Sequence, residues 1–357
     1  MKISDMSRKR ISEHYERYPK MQIADAFKFI FQSSFGCEHL VSDEECAIER
    51  IRREYIDTAR RGDTLVDRLD GEYSRVHLSY LDRGLSATTL GKLFCMSAKK
   101  EPCGREELQR KLLALRELIT DGVLPFALES LERELDLWEK QGYPAVHHSE
   151  NFRFAYSPSY RVVANEYVRF LPLFAEIDKR LESGRTIVAI EGGSASGKTT
   201  LSRLIEKIYD CNVFHMDDFF LRPEQRCAER FSEVGGNVDR ERFYDEVLLP
   251  LSRGEDVSYR RFDCGTQTML EPVVFKSKRL TVVEGAYSMH QDLAPFYDLS
   301  VFLDISPEYQ TERIKKRNST ELAKRFFEEW IPLEKIYFSK TDITSRCALT
   351  LKIEKEL

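Results

Sequence analysis

Residues 192–200 form a glycine-rich loop of the pattern G-x-x-x-x-G-K-[ST], and this loop constrains the fold more than any other segment. Its residues are Gly192, Gly193, Ser194, Ala195, Ser196, Gly197, Lys198, Thr199 and Thr200. An apolar, β-branched run at 186–190 precedes the loop and predicts a buried strand. The apolar residues after the loop recur at helical spacing: Leu201, Leu204, Ile205 and Ile208. Strand, loop and helix thus follow in the order that a phosphate-binding loop requires.

The chemistry of this loop predicts a nucleoside triphosphate as ligand. Backbone N–H groups around the glycines and the positive end of the helix dipole favour a β-phosphate. Lys198 is expected to reach the β and γ oxygens as a mobile charge, and the Thr199 hydroxyl is expected to face Mg²⁺. We therefore predict that the loop binds ATP together with Mg²⁺.

The length of the chain, 357 residues, favours two domains. Residues 1–183 are predicted to be mostly helical, and short strands alternate with amphipathic stretches from 184 to 357. We place the boundary at Ser183-Gly184. Three apolar stripes at helical spacing predict the core of the first half: Ile23, Phe27, Ile30 and Phe31; Leu108, Leu112, Leu115 and Ile119; Leu128, Leu131, Leu135 and Trp138.

Composition excludes several classes of partner. The net charge is −5, with no basic excess in either half, so nucleic acid is not an expected partner. No run approaches the roughly 18 apolar residues that would span a bilayer, and the N-terminus lacks the apolar core of a secretory signal. A cytoplasmic location without membrane partners is the default expectation, and a homodimer stays open.

The eight cysteines are scattered and favour reduced thiols over disulfides or a zinc site. Cys37-Glu38-His39 with Cys46 is a weaker metal-site alternative, because adjacent helical residues diverge. The segment 142–161, where aromatic residues alternate with arginines, also has two alternative interpretations. It predicts either a packed aromatic core or a surface that stacks a base, and His147 and His148 in it favour a structural role.

The second half predicts a doubly wound parallel α/β sheet with its active site at the carboxyl ends of the strands. The predicted strands lie at 186–190, 212–215, 280–283, 299–303 and 348–353. Acids follow two of them, Asp217-Asp218 after the second and Glu284 after the third. A carboxylate there can accept a hydroxyl proton or hold Mg²⁺.

Arg313 and Arg317 follow the fourth strand, four residues apart on a predicted helix. Both are predicted to close over the triphosphate and to neutralise its charge. The alternative for this basic run is a solvated helix face.

Residues 185–340 resemble the uridine kinase and phosphoribulokinase superfamily, and are also similar to nicotinamide riboside kinases and bacterial pantothenate kinases. The loop 193–200 resembles that of uridine kinases almost letter for letter, and Met216–Phe220 resembles their D-D-F-F or D-S-F-Y segment. Val283-Glu284-Gly285 matches their strand-end E-G, and Asn237-Val238-Asp239 their N-x-D. Trp330-Ile331-Pro332 with Tyr337 resembles a segment of nicotinamide riboside kinases.

The resemblance implies roles for individual residues. Asp217 is implied as catalytic base, with Lys198, Arg313 and Arg317 completing the catalytic set, and Thr199 with Glu284 as Mg²⁺ ligands. The resemblance also implies that Asp239 holds sugar hydroxyls. The predicted contacts to the acceptor are Asp218, Phe219, Asp239, Tyr259, Arg261 and Phe262. The segment 259–265 departs from the uridine kinase pattern because it lacks the histidine that reads the pyrimidine. Arg260 and Arg261 are predicted either to pair with an acceptor anion or to flank a strand.

The leading hypothesis is an ATP-dependent kinase whose acceptor is the hydroxyl of a small molecule, with nucleosides and ribosides first and a pantothenate-like or sugar acid second. One rival is an ATP-hydrolysing switch that acts through the helical half. A second rival hypothesis is that residues 1–183 are a separate enzyme that acts on the same metabolite. Otherwise the helical half would complete the acceptor pocket, mediate dimerisation or bind a regulator.

Overall fold

A computed structural model of the chain describes residues 3–37, 43–57, 64–101 and 104–355. These residues group into two compact units, Met1–Ala175 and Glu176–Leu357. The boundary falls inside the helix Leu171–Ser183, which ends just before the first strand of the second unit. None of the helices in the described ranges has the length and apolar character needed to cross a membrane.

The first unit is mostly helical, as predicted. Its helices are α1 (Ile3–Arg17), α2 (Ile23–Phe35), α3 (Glu44–Asp57), α4 (Ala87–Ala98), α5 (Arg105–Thr120), α6 (Leu128–Lys140), α7 (Glu150–Tyr156) and α8 (Asn165–Val168), followed by α9 (Leu171–Ser183) at the boundary. The predicted stripes pack as core, with Phe27 stacked on Trp138 at 4.7 Å between ring centroids. Leu128 is the exception at 40 % exposure, because it is the first residue of α6.

This unit also contains a small antiparallel sheet that the sequence analysis did not predict. Its strands are β1 (Val66–Arg68), β2 (Tyr73–His77) and β3 (Tyr160–Ala164), in that spatial order. Val76 of the central strand pairs with Val66 on one side and with Arg161 on the other. The strands are three to five residues long, too short for a recognisable alternating pattern.

The second unit is built on a five-stranded parallel sheet, which confirms the predicted fold class. Its strands are β4 (Thr186–Gly192), β5 (Cys211–His215), β8 (Leu280–Glu284), β9 (Leu299–Ile305) and β10 (Leu349–Ile353), ordered β10-β9-β4-β8-β5. An antiparallel hairpin, β6 (Val257–Asp263) and β7 (Thr268–Phe275), was not predicted. The helices are α10 (Lys198–Ile208), α11 (Ala228–Ser232), α12 (Arg240–Phe243), α13 (Leu249–Arg253), α14 (Pro307–Arg317), α15 (Thr320–Arg325), α16 (Ile331–Thr341) and α17 (Ile343–Arg346).

The register of the parallel strands fixes where the predicted site residues meet. Glu284 pairs with Ile190 of β4 on one side and with His215 of β5 on the other. The carboxyl ends of these three strands therefore lie level at one edge of the sheet. The glycine-rich loop leaves β4 at this edge, and the acidic segment leaves β5 there.

Candidate active site

The glycine-rich loop turns sharply between β4 and α10. Gly192 has a φ of +152°, and a Cβ at this position would lie 2.9 Å from the carbonyl oxygen of Leu303. Gly197, with a φ of +103°, is the N-cap of α10, which begins at Lys198. Both positions need glycine, because L side chains rarely adopt such backbone angles. The loop thus directs the N-terminus of an eleven-residue helix toward the catalytic edge.

Lys198 folds back over its own loop in this structure. Its Nζ donates to the carbonyl oxygens of Gly192 at 2.8 Å and Gly193 at 3.0 Å. Arg313 on α14 approaches the same loop, with Nη1 3.5 Å from the carbonyl oxygen of Ser196. Arg317, predicted to act with Arg313, is exposed at the C-terminal end of the helix. The structure brings Lys198 and Arg313 together at the loop and leaves Arg317 on the surface.

Three side chains meet beside the start of α10. The Thr199 hydroxyl donates to Oε1 of Glu284 at 2.9 Å, and Nδ1 of His215 is hydrogen-bonded to the same oxygen at 2.6 Å. Burial acts to raise the pKa of Glu284, but the His215 hydrogen bond and the charge of Lys198 outweigh it and lower that pKa. Glu284 is therefore an ionised carboxylate beside a hydroxyl, and this pair of oxygen ligands would fit a Mg²⁺ ion.

The pair of His215 and Glu284 is expected to make the stability of the second unit depend on pH. The hydrogen bond to Glu284 raises the pKa of His215 above its ordinary 6.5, so the stabilisation is complete below that value and is lost as pH rises through the folded-state pKa. Glu284, with a lowered pKa, contributes above its ordinary 4.5. We expect His215→Asn to destabilise the protein more at about pH 5.5 than at about pH 9 in urea unfolding. The matched control is His147→Asn, at an exposed histidine. An equal loss of stability at both pH values would contradict the pairing.

The two adjacent acids after β5 lie in different environments. They stand in a 3₁₀ turn, Met216–Phe219. Asp218 accepts a 2.8 Å hydrogen bond from the Tyr259 hydroxyl and lies 3.4 Å from Nε of Arg261. Asp217 reaches solvent and has no hydrogen bond to any described residue. The protein packed around its carboxylate, together with repulsion from Glu284, raises its pKa, whereas Lys198 and His215 oppose that rise.

Several predicted acceptor contacts are buried in this structure. Asp239, 3 % exposed, accepts from Nε2 of Gln225 at 2.8 Å and caps α12 through the backbone N–H of Arg242. Phe262 is 5 % exposed, and Tyr259 is 2 % exposed with its hydroxyl on Asp218. Arg261 remains partly open, whereas Arg260 donates across the hairpin to the carbonyl oxygens of 269 and 270.

Phe219 is fully buried and packs as core. Its ring lies 5.0 Å from the rings of both Phe243 and Tyr259, and the Arg242 guanidinium lies 4.3 Å from its centroid. We expect Phe219→Leu to lower the free energy of unfolding by about 1–3 kcal/mol, because the aromatic contacts are lost and a gap is left. Urea unfolding measures this effect, with the exposed Phe154→Leu as control. A variant of unchanged stability but altered acceptor preference would instead support a direct substrate contact.

Three residues that the sequence analysis did not assign to the site brace the loop. Glu334 on α16, 5 % exposed, accepts from the Ser194 backbone N–H at 2.9 Å and from its hydroxyl at 2.6 Å. Gln310 on α14 donates to the Ser194 carbonyl oxygen at 2.8 Å. Glu191, fully buried, accepts from the N–H of Gly192 at 2.9 Å and from the Tyr337 hydroxyl at 3.2 Å. Burial raises the pKa of Glu191 to about 7. The sequence could have pointed to Glu191, because it is an acid inside an apolar strand.

The metal-site alternative in the first half finds no support among the described residues. Glu38 and His39 lie outside them. Cys37 is buried with its Sγ 3.4 Å from the Val162 carbonyl oxygen, and Cys46 is exposed. The described part of the chain has no group of three or more potential ligands placed to hold a metal. Its cysteines are free thiols.

Comparison with known proteins identifies the second unit. A uridine kinase of Macrococcus caseolyticus is 25 % identical over 153 residues, which are 40 % of this chain and 72 % of that protein. A bifunctional alpha-galactosidase/sucrose kinase of Mediterraneibacter gnavus is 29 % identical over 161 residues, 39 % of this chain but only 17 % of that protein. A solved structure of a possible uridine kinase from Bacillus stearothermophilus has 21 % identity and a TM-score of 0.39, and the match covers 50 % of this chain and 99 % of that protein. Residues 187–325 match the phosphoribulokinase/uridine kinase family. The second unit of this chain therefore contains a domain of the phosphoribulokinase/uridine kinase family of P-loop kinases.

Proposed function

We propose that the second unit transfers the γ-phosphoryl group of ATP to a hydroxyl of a small metabolite, with nucleosides and ribosides as the first acceptor class. The observation that carries the proposal is that the two acids after β5 differ in their contacts. Asp218 is engaged by Tyr259 and Arg261, whereas Asp217 faces solvent within the electrostatic reach of Lys198, Glu284 and His215. This leaves one unengaged carboxylate beside a phosphate-binding loop.

In the proposed reaction the acceptor hydroxyl loses its proton to Asp217 as its oxygen attacks the γ-phosphorus. The bond from that phosphorus to the β–γ bridging oxygen breaks, and ADP leaves. The raised pKa of Asp217 makes its carboxylate a better proton acceptor than that of an ordinary aspartate. Lys198 would exchange its loop carbonyls for phosphate oxygens, and Arg313 would offset the charge from α14.

Thr199 and Glu284 would hold the Mg²⁺ ion that neutralises part of the phosphate charge. Their 2.9 Å separation and the ionised state of Glu284 fit such a role. His215, which is hydrogen-bonded to the same oxygen of Glu284 as Thr199, would orient the carboxylate.

The choice of acceptor class rests on the relatives and on the hairpin β6–β7. Uridine kinases among the relatives favour a nucleoside or riboside. The sucrose kinase part of another relative, together with the partly exposed Arg261, favours a sugar or sugar acid as the second candidate.

The test is transfer of label from γ-labelled ATP with Mg²⁺ to pooled nucleosides, ribosides, pantothenate, sugars and sugar acids. A labelled organic phosphate made by the full chain, followed by deconvolution of its pool, would establish the kinase and its acceptor. Label found only as free phosphate in every pool would overturn the proposal and favour the ATP-hydrolysing switch.

A further inference from the structure

The first unit contains a cavity of about 410 Å³ that the kinase chemistry does not use. It lies between α3 and the sheet strand β3, and its lining includes Gln32, Arg50, Glu54, Phe94, Tyr160 and Arg161. A volume of this size is within the range of sites for small metabolites. Aromatic and charged side chains share the wall, so the cavity is not simply a packing gap among apolar residues.

Arg161 is buried at the wall of this cavity with unused hydrogen-bonding capacity. It is 8 % exposed, and its Nη1 donates to Oε2 of Glu54 at 2.8 Å and to the Tyr160 carbonyl oxygen at 2.9 Å. Its Nη2 is buried and has no acceptor among the residues that the structure describes. Leaving a buried guanidinium N–H without an acceptor is unfavourable, so such groups are normally satisfied by protein, water or ligand.

A second buried cation stands behind the same wall. Arg75, 1 % exposed, donates from Nε to Gln32 at 2.9 Å, and its guanidinium carbon lies 4.7 Å from the Tyr160 ring centroid. In the described ranges no carboxylate lies within ion-pair distance of Arg75, and its Nη2 also lacks an acceptor. Nη1 of Arg75 is hydrogen-bonded to Nε2 of His14 at 3.2 Å. Gln32 and Tyr160 therefore form a wall with a buried guanidinium group behind it.

The carboxylates at the cavity are already engaged. Glu54 pairs with Arg161, and Asp43 accepts from the backbone N–H of Cys46 at 2.8 Å. Arg50, exposed at the rim, adds a further cation. The cationic donors at the cavity are the guanidinium groups of Arg161 and Arg50, and Phe94 and Tyr160 line the cavity beside them.

We propose that this cavity binds a small anionic metabolite, whose carboxylate or phosphate group accepts from Arg161 and whose body packs against Phe94 and Tyr160. The two anion types share the recognition chemistry, because a guanidinium fork suits either.

Cys46 provides a local reporter of occupancy. Its thiol is exposed and lines the cavity, whereas the exposed thiol of Cys227 belongs to the other unit. The rate of alkylation by iodoacetamide is measured at each cysteine by mass spectrometry of the full chain at constant ionic strength. The probes are phenyl phosphate and benzoate, with neutral benzamide as control.

We expect an anionic probe to slow alkylation of Cys46 by a factor of about ten at ten times its dissociation constant, with Cys227 unaffected. Protection by phenyl phosphate alone identifies a phosphate ligand, and protection by benzoate alone identifies a carboxylate. Arg161→Gln should lower the affinity for the protective probe about tenfold to a hundredfold. Arg153→Gln, a change at an exposed arginine, should leave that affinity unchanged.

Arg50→Gln keeps the test decisive if Arg161→Gln fails to fold, because Arg50 is exposed and its loss should still weaken the probe. Lys198→Ala should leave protection intact, since the phosphate-binding loop lies in the other unit. Absence of protection by either anion, equal protection by benzamide, or protection that survives both arginine substitutions would overturn the proposal.

Discussion

Replacing Asp217 with asparagine is expected to lower kcat for phosphoryl transfer by about 10²–10⁴-fold while leaving the KM for ATP nearly unchanged. The amide keeps the size of the side chain but cannot take the acceptor proton. Because the pKa of Asp217 is raised above its ordinary 3.8, wild-type activity should fall on the acid side at a pH above that value. Steady-state kinetics across pH, with the acceptor found by label transfer, measure both effects.

Asp245→Asn is the matched control for this prediction, since Asp245 is exposed on the π-helical segment Tyr244–Leu248 and is not one of the predicted site residues. It should retain wild-type kcat. A substantial kcat in Asp217→Asn with an unchanged acid limb would assign the base elsewhere. Asp218→Asn would then be the next variant, although loss of its contact with Tyr259 should also disturb the hairpin.

Replacing Lys198 with alanine is expected to lower kcat/KM for ATP by about 10²–10³-fold, comparable to the loss of one preorganised donor at a reacting group. Lys198 donates to two loop carbonyls, and in the proposed reaction it would exchange them for phosphate oxygens. The charge of Lys198 also opposes the pKa rises of Asp217 and Glu191 and lowers the pKa of Glu284. Loss of this charge should therefore shift the acid limb of the pH profile to higher pH, and it should also weaken ATP binding.

Lys207→Ala, an exposed change on the same helix, is the control. Thermal unfolding of both variants separates loss of the loop contacts from loss of phosphate binding. If Lys198→Ala binds and turns over ATP as well as Lys207→Ala does, the phosphate-binding role of the loop is wrong.

Much of the second unit could be predicted because its signals are local. The loop, the strand before it and the helix after it are contiguous, and the acids at 217 and 284 directly follow apolar runs. In a parallel sheet the ends of such runs must meet at one edge, and the observed register places Ile190, His215 and Glu284 side by side. The hairpin β6–β7 escaped prediction because half of its residues face solvent and polar side chains interrupt its alternation.

The sequence by itself determined the phosphate-binding loop, the parallel α/β fold and the set of acids at its catalytic edge, because each depends on residues adjacent along the chain. Only the tertiary structure decided which acid is unengaged, since Asp218 is held by Tyr259, 41 residues away. It also decided that Glu334, 140 residues beyond Ser194, braces the loop, and that Arg161 lines a cavity with Phe94. Contacts at such separations arise from packing between elements, and no local periodicity encodes them.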